Sequence, residues 1–139
     1  MRGATHKARV QAPRWRRAPE GHSVGAMKRA HHPCVLPWDE HRAFRHERGF
    51  KLPFVDEDCG AHQLRMHVSV INPGESPHPP HAHAGEEILF ILEGEAEVLI
   101  GQETRFVGPM TAVFCPEHVT HGLHNCGKVA TKFMVIRVP

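Results

Sequence analysis

From residue 62 onward, apolar and polar residues alternate in short runs that predict β-strands. The clearest run covers 62–71, where the apolar face carries Leu64, Met66, Val68 and Val70. The polar face carries Gln63, Arg65, His67 and Ser69. Period-two alternation of this kind predicts a strand with one buried face and one solvated face.

The next run, Ile88–Leu92, is apolar on both faces, which predicts a strand covered on both sides. Further short strands are predicted at 95–100, 104–107, 111–115, 119–125 and 129–138, with glycine or proline between most of them. Evenly spaced short strands predict an all-β sandwich or barrel.

The first sixty residues lack this pattern. Residues 1–30 hold eight Lys/Arg against one acid, which predicts a disordered basic arm. Two interpretations of this arm are preferred: translation starts naturally at Met27, or the arm is a plain solvated tail. Nucleic-acid or membrane binding and a transit sequence are the less favoured alternatives. Residues 31–139 are predicted to form a single domain, with a short helical turn at Trp38–Phe44 and a turn at Asp56–Gly60. No strand is predicted between 31 and 61.

Composition narrows the class of protein. The chain of 139 residues has no apolar run of about 18 residues, which argues against a membrane span. Its four cysteines form no CxxC pair, so we expect reduced thiols in a cytoplasmic protein. Histidine is the unusual residue, with 14 copies.

Three candidate metal ligands are His81, His83 and Glu87. If the chain is extended there, their even spacing places the two imidazoles and the carboxylate on one face. First-row transition metals accept such a mixed N/O set. A fourth ligand is available at His118, His121 or His124, and parity alone leaves this choice open.

The chain from about Gly74 to Asn125 resembles a cupin. The first cupin motif is matched by Gly74, His81, His83, Glu87 and Gly94, and the second by Pro116, His121 and Asn125. The resemblance implies that His81, His83, Glu87 and His121 bind one metal inside a small jelly-roll barrel. The sequence departs from the motifs in its loop lengths before His81 and Pro116, and His118 occupies a glycine position where a positive φ would be strained.

The remaining histidines are assigned more cautiously. His78 is interpreted as an exposed loop residue, with an acid/base role at the barrel mouth as the alternative. His124 is expected on the opposite face from His121, and a position at the pocket rim is the less favoured alternative for His118. Asn125 is expected to hydrogen-bond within the motif and help orient the site. The other histidines, including His67, are expected to be solvated.

We expect one divalent ion, Fe(II), Mn(II), Ni(II) or Zn(II), and a small oxygen-bearing, partly apolar ligand or substrate, with Leu89 and Ile91 as an apolar wall. A dioxygenase-like oxidoreductase is favoured. The alternatives are a non-redox isomerase, decarboxylase, lyase or hydrolase, with Glu87 as a base if it detaches, and a non-catalytic binding module. The apolar faces of Ile88–Leu92 and Val129–Val138, together with the cupin resemblance, predict a homodimer.

Overall fold

The computed structural model describes residues 32–139, which form one unit of nine β-strands. The strands are β1 (Phe44–His46), β2 (Gly49–Val55), β3 (Arg65–Ile71), β4 (Glu86–Glu93), β5 (Ala96–Ile100), β6 (Glu103–Val107), β7 (Thr111–Cys115), β8 (His121–His124) and β9 (Thr131–Val138). The helices in this part of the chain are two single 3-10 turns, Glu40–Arg42 and Glu57–Cys59. Neither has the length or apolar character to cross a membrane. The basic arm predicted for residues 1–30 lies outside the described residues.

Two antiparallel sheets build the barrel. The larger has the order β1-β2-β3-β9-β4-β7 and the smaller the order β6-β5-β8. Every strand pair is antiparallel. The core lies between the sheets and is built from Ile71, Leu89, Ile91, Ala96, Val98, Val113, Cys115, Leu123, Phe133 and Val135. The predicted all-β jelly-roll barrel is therefore confirmed.

Sequence patterning missed the first two strands. β2 alternates Phe50, Leu52 and Phe54 on one face, but Pro53 interrupts the run. Proline cannot donate to a ladder and counts against a strand. The structure accommodates it at a register shift between Pro53 and Val55 in the pairing with β3. The prediction of no strand between residues 31 and 61 is therefore wrong: Pro53 concealed β2, and β1, with three residues, is too short to show alternation.

The prediction that β3 has a solvated polar face is also wrong. Ser69 is only 5% exposed, and Arg65 and His67 are half-buried and line the barrel cavity. Val68, on the opposite face, is buried as well. The strand does alternate, but its polar side chains face the cavity inside the barrel instead of solvent. His67 is therefore not the solvated residue expected from the sequence.

β4 has the two apolar faces that its sequence predicted. Leu89 and Ile91 are buried in the core between the sheets. On the outer face of the larger sheet, Ile88 is 37% exposed and Phe114, its partner on β7, is 53% exposed. One face of β4 is therefore fully covered within the barrel, and the other presents apolar surface to the outside.

Candidate metal centre

The site begins where two distant segments meet. His81 forms an isolated antiparallel bridge with His121, the first residue of β8. Each backbone N–H donates to the carbonyl of the other, at 3.0 Å and 2.9 Å. This bridge fixes both histidines at the same level of the barrel.

The segment between His81 and β4 is a loop rather than the expected continuous strand. Gly85 has φ +82°, a conformation that glycine adopts without strain. A Cβ at this position would lie 2.1 Å from the carbonyl oxygen of Val138, so the close approach also requires glycine. The Gly85 N–H donates to the carboxylate of Glu117 at 3.0 Å, which ties the loop to the segment before β8. The assumption of an extended chain was wrong, because the backbone turns at Gly85.

The four predicted side chains nevertheless converge. The ligand atoms of His81, His83 and His121 all lie within 4.8 Å of one another. The Glu87 carboxylate stands between two of them, with Oε2 3.5 Å from His83 Nε2 and Oε1 3.4 Å from His121 Nε2. Glu87 and His121 are buried, and His81 and His83 are half-buried. The barrel thus holds a His/Glu group able to bind a metal.

Hydrogen bonds orient two of the imidazoles. Nδ1 of His83 lies 2.9 Å from the carbonyl oxygen of Ala84, and Nδ1 of His121 lies 2.9 Å from that of Val119. A carbonyl can only accept, so each Nδ1 carries the proton and each Nε2 keeps a lone pair. Metal-binding histidines are oriented in this way in proteins.

Three ring nitrogens in the group are buried without a hydrogen-bond partner: His81 Nδ1, His83 Nε2 and His121 Nε2. An unpaired buried polar atom costs about 1–3 kcal/mol. Burial, followed by the neighbouring imidazoles of His78 and His121, lowers the pKa of His81 and favours its neutral, ligating form. The residues present therefore fit a divalent transition metal, which would satisfy all three nitrogens.

Sequence analysis missed one neighbour of this group. Cys115 pairs with Glu87 across β4 and β7, and its sulfur belongs to a second cluster of potential ligands with Glu87 and His121. Burial, with a further contribution from Glu87, raises the pKa of the Cys115 thiol to about 12. The thiol is therefore protonated at neutral pH, whereas the imidazoles offer lone pairs directly. The only signal in the sequence was the position of Cys115 directly before Pro116.

The other candidate histidines lie outside the group. His118 has φ +60°, the strained conformation anticipated for this motif position, and its side chain is exposed and lies outside the cavity lining. His124 lies outside the cavity lining, and its Nδ1 is 3.0 Å from the Ser76 hydroxyl. Its predicted placement opposite His121 agrees with this contact. His78 is exposed, with its ring edge-on to His81 at 4.3 Å between centroids.

Asn125 acts on the frame of the barrel rather than on a ligand. Its side chain is fully buried, and its amide donates to the carbonyls of Ile71 and Val129, both at 2.9 Å. Its side-chain oxygen accepts from the Gly127 N–H at 2.9 Å. Asn125 therefore joins the end of β3 to the turn before β9, a structural role that differs from the expected support of the metal ligands.

The candidate group of His81, His83, Glu87 and His121, called the metal group below, opens into a cavity of about 1000 Å³ inside the barrel. Leu89, Leu123, Phe133 and Val135 form its apolar wall. The expected wall is thus present at Leu89, while Ile91 is buried in the core and does not line the cavity. The cavity has room for a small organic molecule beside the metal group.

Comparison with known proteins gives a family match. The model of a family described as a cupin domain matches residues 67–137, half of the chain. Dimethylsulfoniopropionate lyase DddQ from Ruegeria pomeroyi is 39% identical over 70 residues, which is 50% of this chain. The chain spans only 32% of that relative's length.

Solved structures share the fold. An RmlC-like cupin from Shewanella frigidimarina superimposes with a TM-score of 0.64 at 18% identity, covering 75% of this chain and 89% of its own. A predicted oxalate decarboxylase from Thermotoga maritima superimposes with a TM-score of 0.60 at 21% identity, covering 64% and 78%. At these identities the likeness establishes the barrel and leaves the reaction to be argued from the site.

Proposed function

The chain belongs to the cupin domain family, and from that premise we propose that it is a metal-dependent enzyme acting on a small organic molecule inside the barrel. The observation that supports this most strongly is the buried His/Glu group with three unpartnered ring nitrogens. Buried polar atoms are nearly always paired in folded proteins. An ion at this position explains all three exceptions together.

We propose His81, His83, Glu87 and His121 as the ligands of one divalent ion, Fe(II), Mn(II), Ni(II) or Zn(II). Such an ion acts as a Lewis acid on an oxygen-bearing substrate. The protein holds the imidazoles in their ligating tautomer and excludes water with the apolar wall of the cavity. Glu87 can also take a proton if it leaves the metal, and His78 at the mouth is the other acid/base candidate. The 139 residues include no tyrosine, so none of them can supply a phenol as an acid or base.

The reaction class we favour is non-redox bond cleavage. The two activities in the names of similar proteins are a lyase and a decarboxylase, and neither class involves net oxidation. For this reason we favour a non-redox reaction over the dioxygenase-like oxidoreductase that was favoured from the sequence alone. The molecules in both names, dimethylsulfoniopropionate and oxalate, carry carboxylate groups, although the match to each protein is partial.

The test is turnover with and without oxygen on protein of known metal content. Purified protein is analysed for metals, loaded with each candidate ion and assayed on a panel of small carboxylates and carbonyl compounds. We expect about one metal per chain and turnover that persists under nitrogen. Turnover that requires oxygen and consumes it would restore the dioxygenase proposal. Tight metal binding without turnover on any compound would leave a binding module.

We also propose that the protein is a homodimer, with the outer face of the larger sheet as the interface. Ile88 and Phe114 form an exposed apolar pair on that face, with Phe90 beside them. Contiguous apolar surface of this kind is characteristic of protein contacts. Light scattering is expected to give twice the chain mass for the wild type, and Phe114→Glu is expected to shift the mass towards one chain. A wild-type mass equal to one chain contradicts the dimer.

The four cysteines, Cys34, Cys59, Cys115 and Cys126, are all free thiols in the described residues. Free thiols persist in reducing compartments, which supports a cytoplasmic location. Thiol titration of protein from its native host would test this proposal, since oxidised cysteines would argue against it.

A further inference from the structure

Three charged side chains on neighbouring strands line the cavity next to the metal group. In the strand register, Arg65 on β3 lies directly opposite Arg137 on β9, and Arg137 lies directly opposite Glu87 on β4. All three residues line the cavity. Side chains directly opposite each other have Cβ atoms about 4.5–5.5 Å apart, and like charges in that position destabilise a sheet. Two arginines side by side facing inward repel each other, so how the charge of each is balanced becomes informative.

The two arginines differ in how their charge is balanced. Arg65 lies 3.1 Å from the Glu57 carboxylate and donates to the carbonyls of Ala61 and Leu64, at 3.3 Å and 3.0 Å. Arg137 forms no ion pair within residues 32–139, and its buried Nε has no hydrogen-bond partner. Arg137 is therefore the uncommitted cation of the pair.

Glu87 does not neutralise Arg137, although the two are neighbours in register. Its carboxylate oxygens lie beside His83 and His121, at 3.5 Å and 3.4 Å. Coordination of a metal would engage the same oxygens further. The Glu87 carboxylate therefore contacts the two imidazoles and forms no ion pair with the Arg137 guanidinium.

The other charges around the cavity leave a positive balance at its inner wall. Asp56 pairs with Arg42 at 3.8 Å, and Asp58 is exposed at the rim. Lys51 also lines the cavity, and no carboxylate among residues 32–139 forms an ion pair with it. Lys51 is exposed to solvent, whereas Arg137 is half-buried and lines the cavity without an ion pair among residues 32–139.

We propose that Arg137 binds a carboxylate group of the substrate, so that another oxygen of the same molecule reaches the metal group. The planar guanidinium presents parallel N–H donors that match a carboxylate in two-point contact. A carboxylate carries one negative charge, which matches the single positive charge of Arg137. The apolar wall at Leu89 and Val135, each beside the three charged side chains in register, accommodates a short hydrocarbon chain.

This inference rests on the proposed function, and its test separates the two. Propionate and its uncharged analogue propionamide are titrated by calorimetry into zinc-loaded wild type, Arg137→Gln and Arg137→Lys. Arg105→Gln is the matched control, because Arg105 is an exposed arginine on β6 that pairs with Glu103. Metal content and thermal midpoint are measured for every variant.

We expect Arg137→Gln to bind propionate about 10- to 100-fold more weakly, the range for loss of a charged hydrogen bond. Arg137→Lys should recover part of the affinity, and Arg105→Gln should match the wild type. Propionamide should bind all four proteins alike. Metal content should be the same throughout.

Equal affinity of propionate for wild type and Arg137→Gln would overturn the inference. So would an equal loss for propionamide, or propionate binding that depends on zinc alone. A wild type that takes up no metal would instead contradict the proposed function, and titration of the metal-free proteins would still decide the role of Arg137.

Discussion

The most informative prediction concerns His121, the residue that completes the proposed ligand set. His121→Ala removes a side chain that is 2% exposed and whose Nε2 faces the Glu87 carboxylate. His124→Ala is the matched control, because it changes the same residue type on the same strand but outside the cavity. We expect the wild type and His124→Ala to hold about one metal per chain, and His121→Ala to lose it.

The size of the effect follows from linkage between binding and folding. A ligand present at about 100 times its Kd stabilises the folded state by about 2.7 kcal/mol. For a domain near 100 residues, 1 kcal/mol shifts Tm by roughly 4–8 °C, so saturating metal should raise Tm by about 10–20 °C. The buried nitrogens of His81, His83 and His121 that lack a hydrogen-bond partner lower the free energy of unfolding of the metal-free protein, and a bound ion would remove this destabilisation.

The assay is a thermal melt of each protein with zinc and with EDTA, alongside elemental analysis. The wild type and His124→Ala should show the metal-dependent shift, and His121→Ala should not. A wild type whose Tm ignores both zinc and EDTA would refute the metal assignment. A shift that survives in His121→Ala but disappears in His124→Ala would show that the fourth ligand was misassigned.

Three further predictions test the frame of the site. Gly85→Ala should weaken metal binding and destabilise the fold more than Gly60→Ala. Both glycines have positive φ, but only at position 85 would the added Cβ meet a backbone atom, the Val138 carbonyl oxygen at 2.1 Å. Equal effects of the two substitutions on melting and on metal titration would contradict this contact. Asn125→Ala should lower the free energy of unfolding, measured in urea, by about 3 kcal/mol, because one buried and two partly buried hydrogen bonds lose a partner; a loss under about 1 kcal/mol would contradict this. Burial, followed by Lys51 and His78, lowers the pKa of His67 to about 3, so the unfolded state takes up the proton first and stability falls as pH drops below about 6.5. His67→Gln should remove at most about 2 kcal/mol of that loss between pH 6.5 and pH 5, and an unchanged acid slope would contradict the shift.

Local sequence determined the strands and much of the metal group. The sequence predicted seven of the nine strands, from strict alternation in β3, from a run that is apolar on both faces in β4, and from short runs between glycines and prolines in the others. The spacing of His81, His83 and Glu87 marked three side chains of the group before any fold was known. The cupin resemblance chose His121 over His118 and His124, a choice that local parity could not make. The bridge between His81 and His121 is consistent with that choice.

Tertiary structure decided which faces point inward. The alternation in β3 separated Arg65 and His67 from Val68, but it did not show that the polar residues face the cavity, because apolar burial on the other face satisfies the same pattern. The placement of Cys115 beside Glu87 and of Arg137 beside both Glu87 and Arg65 depends on strand pairing between segments far apart in the chain. Register across strands is set by the closed barrel as a whole. The sequence therefore predicted the His/Glu group that is able to bind a metal, while the fold supplied the cavity and the position of Arg137 on which the proposed substrate class rests.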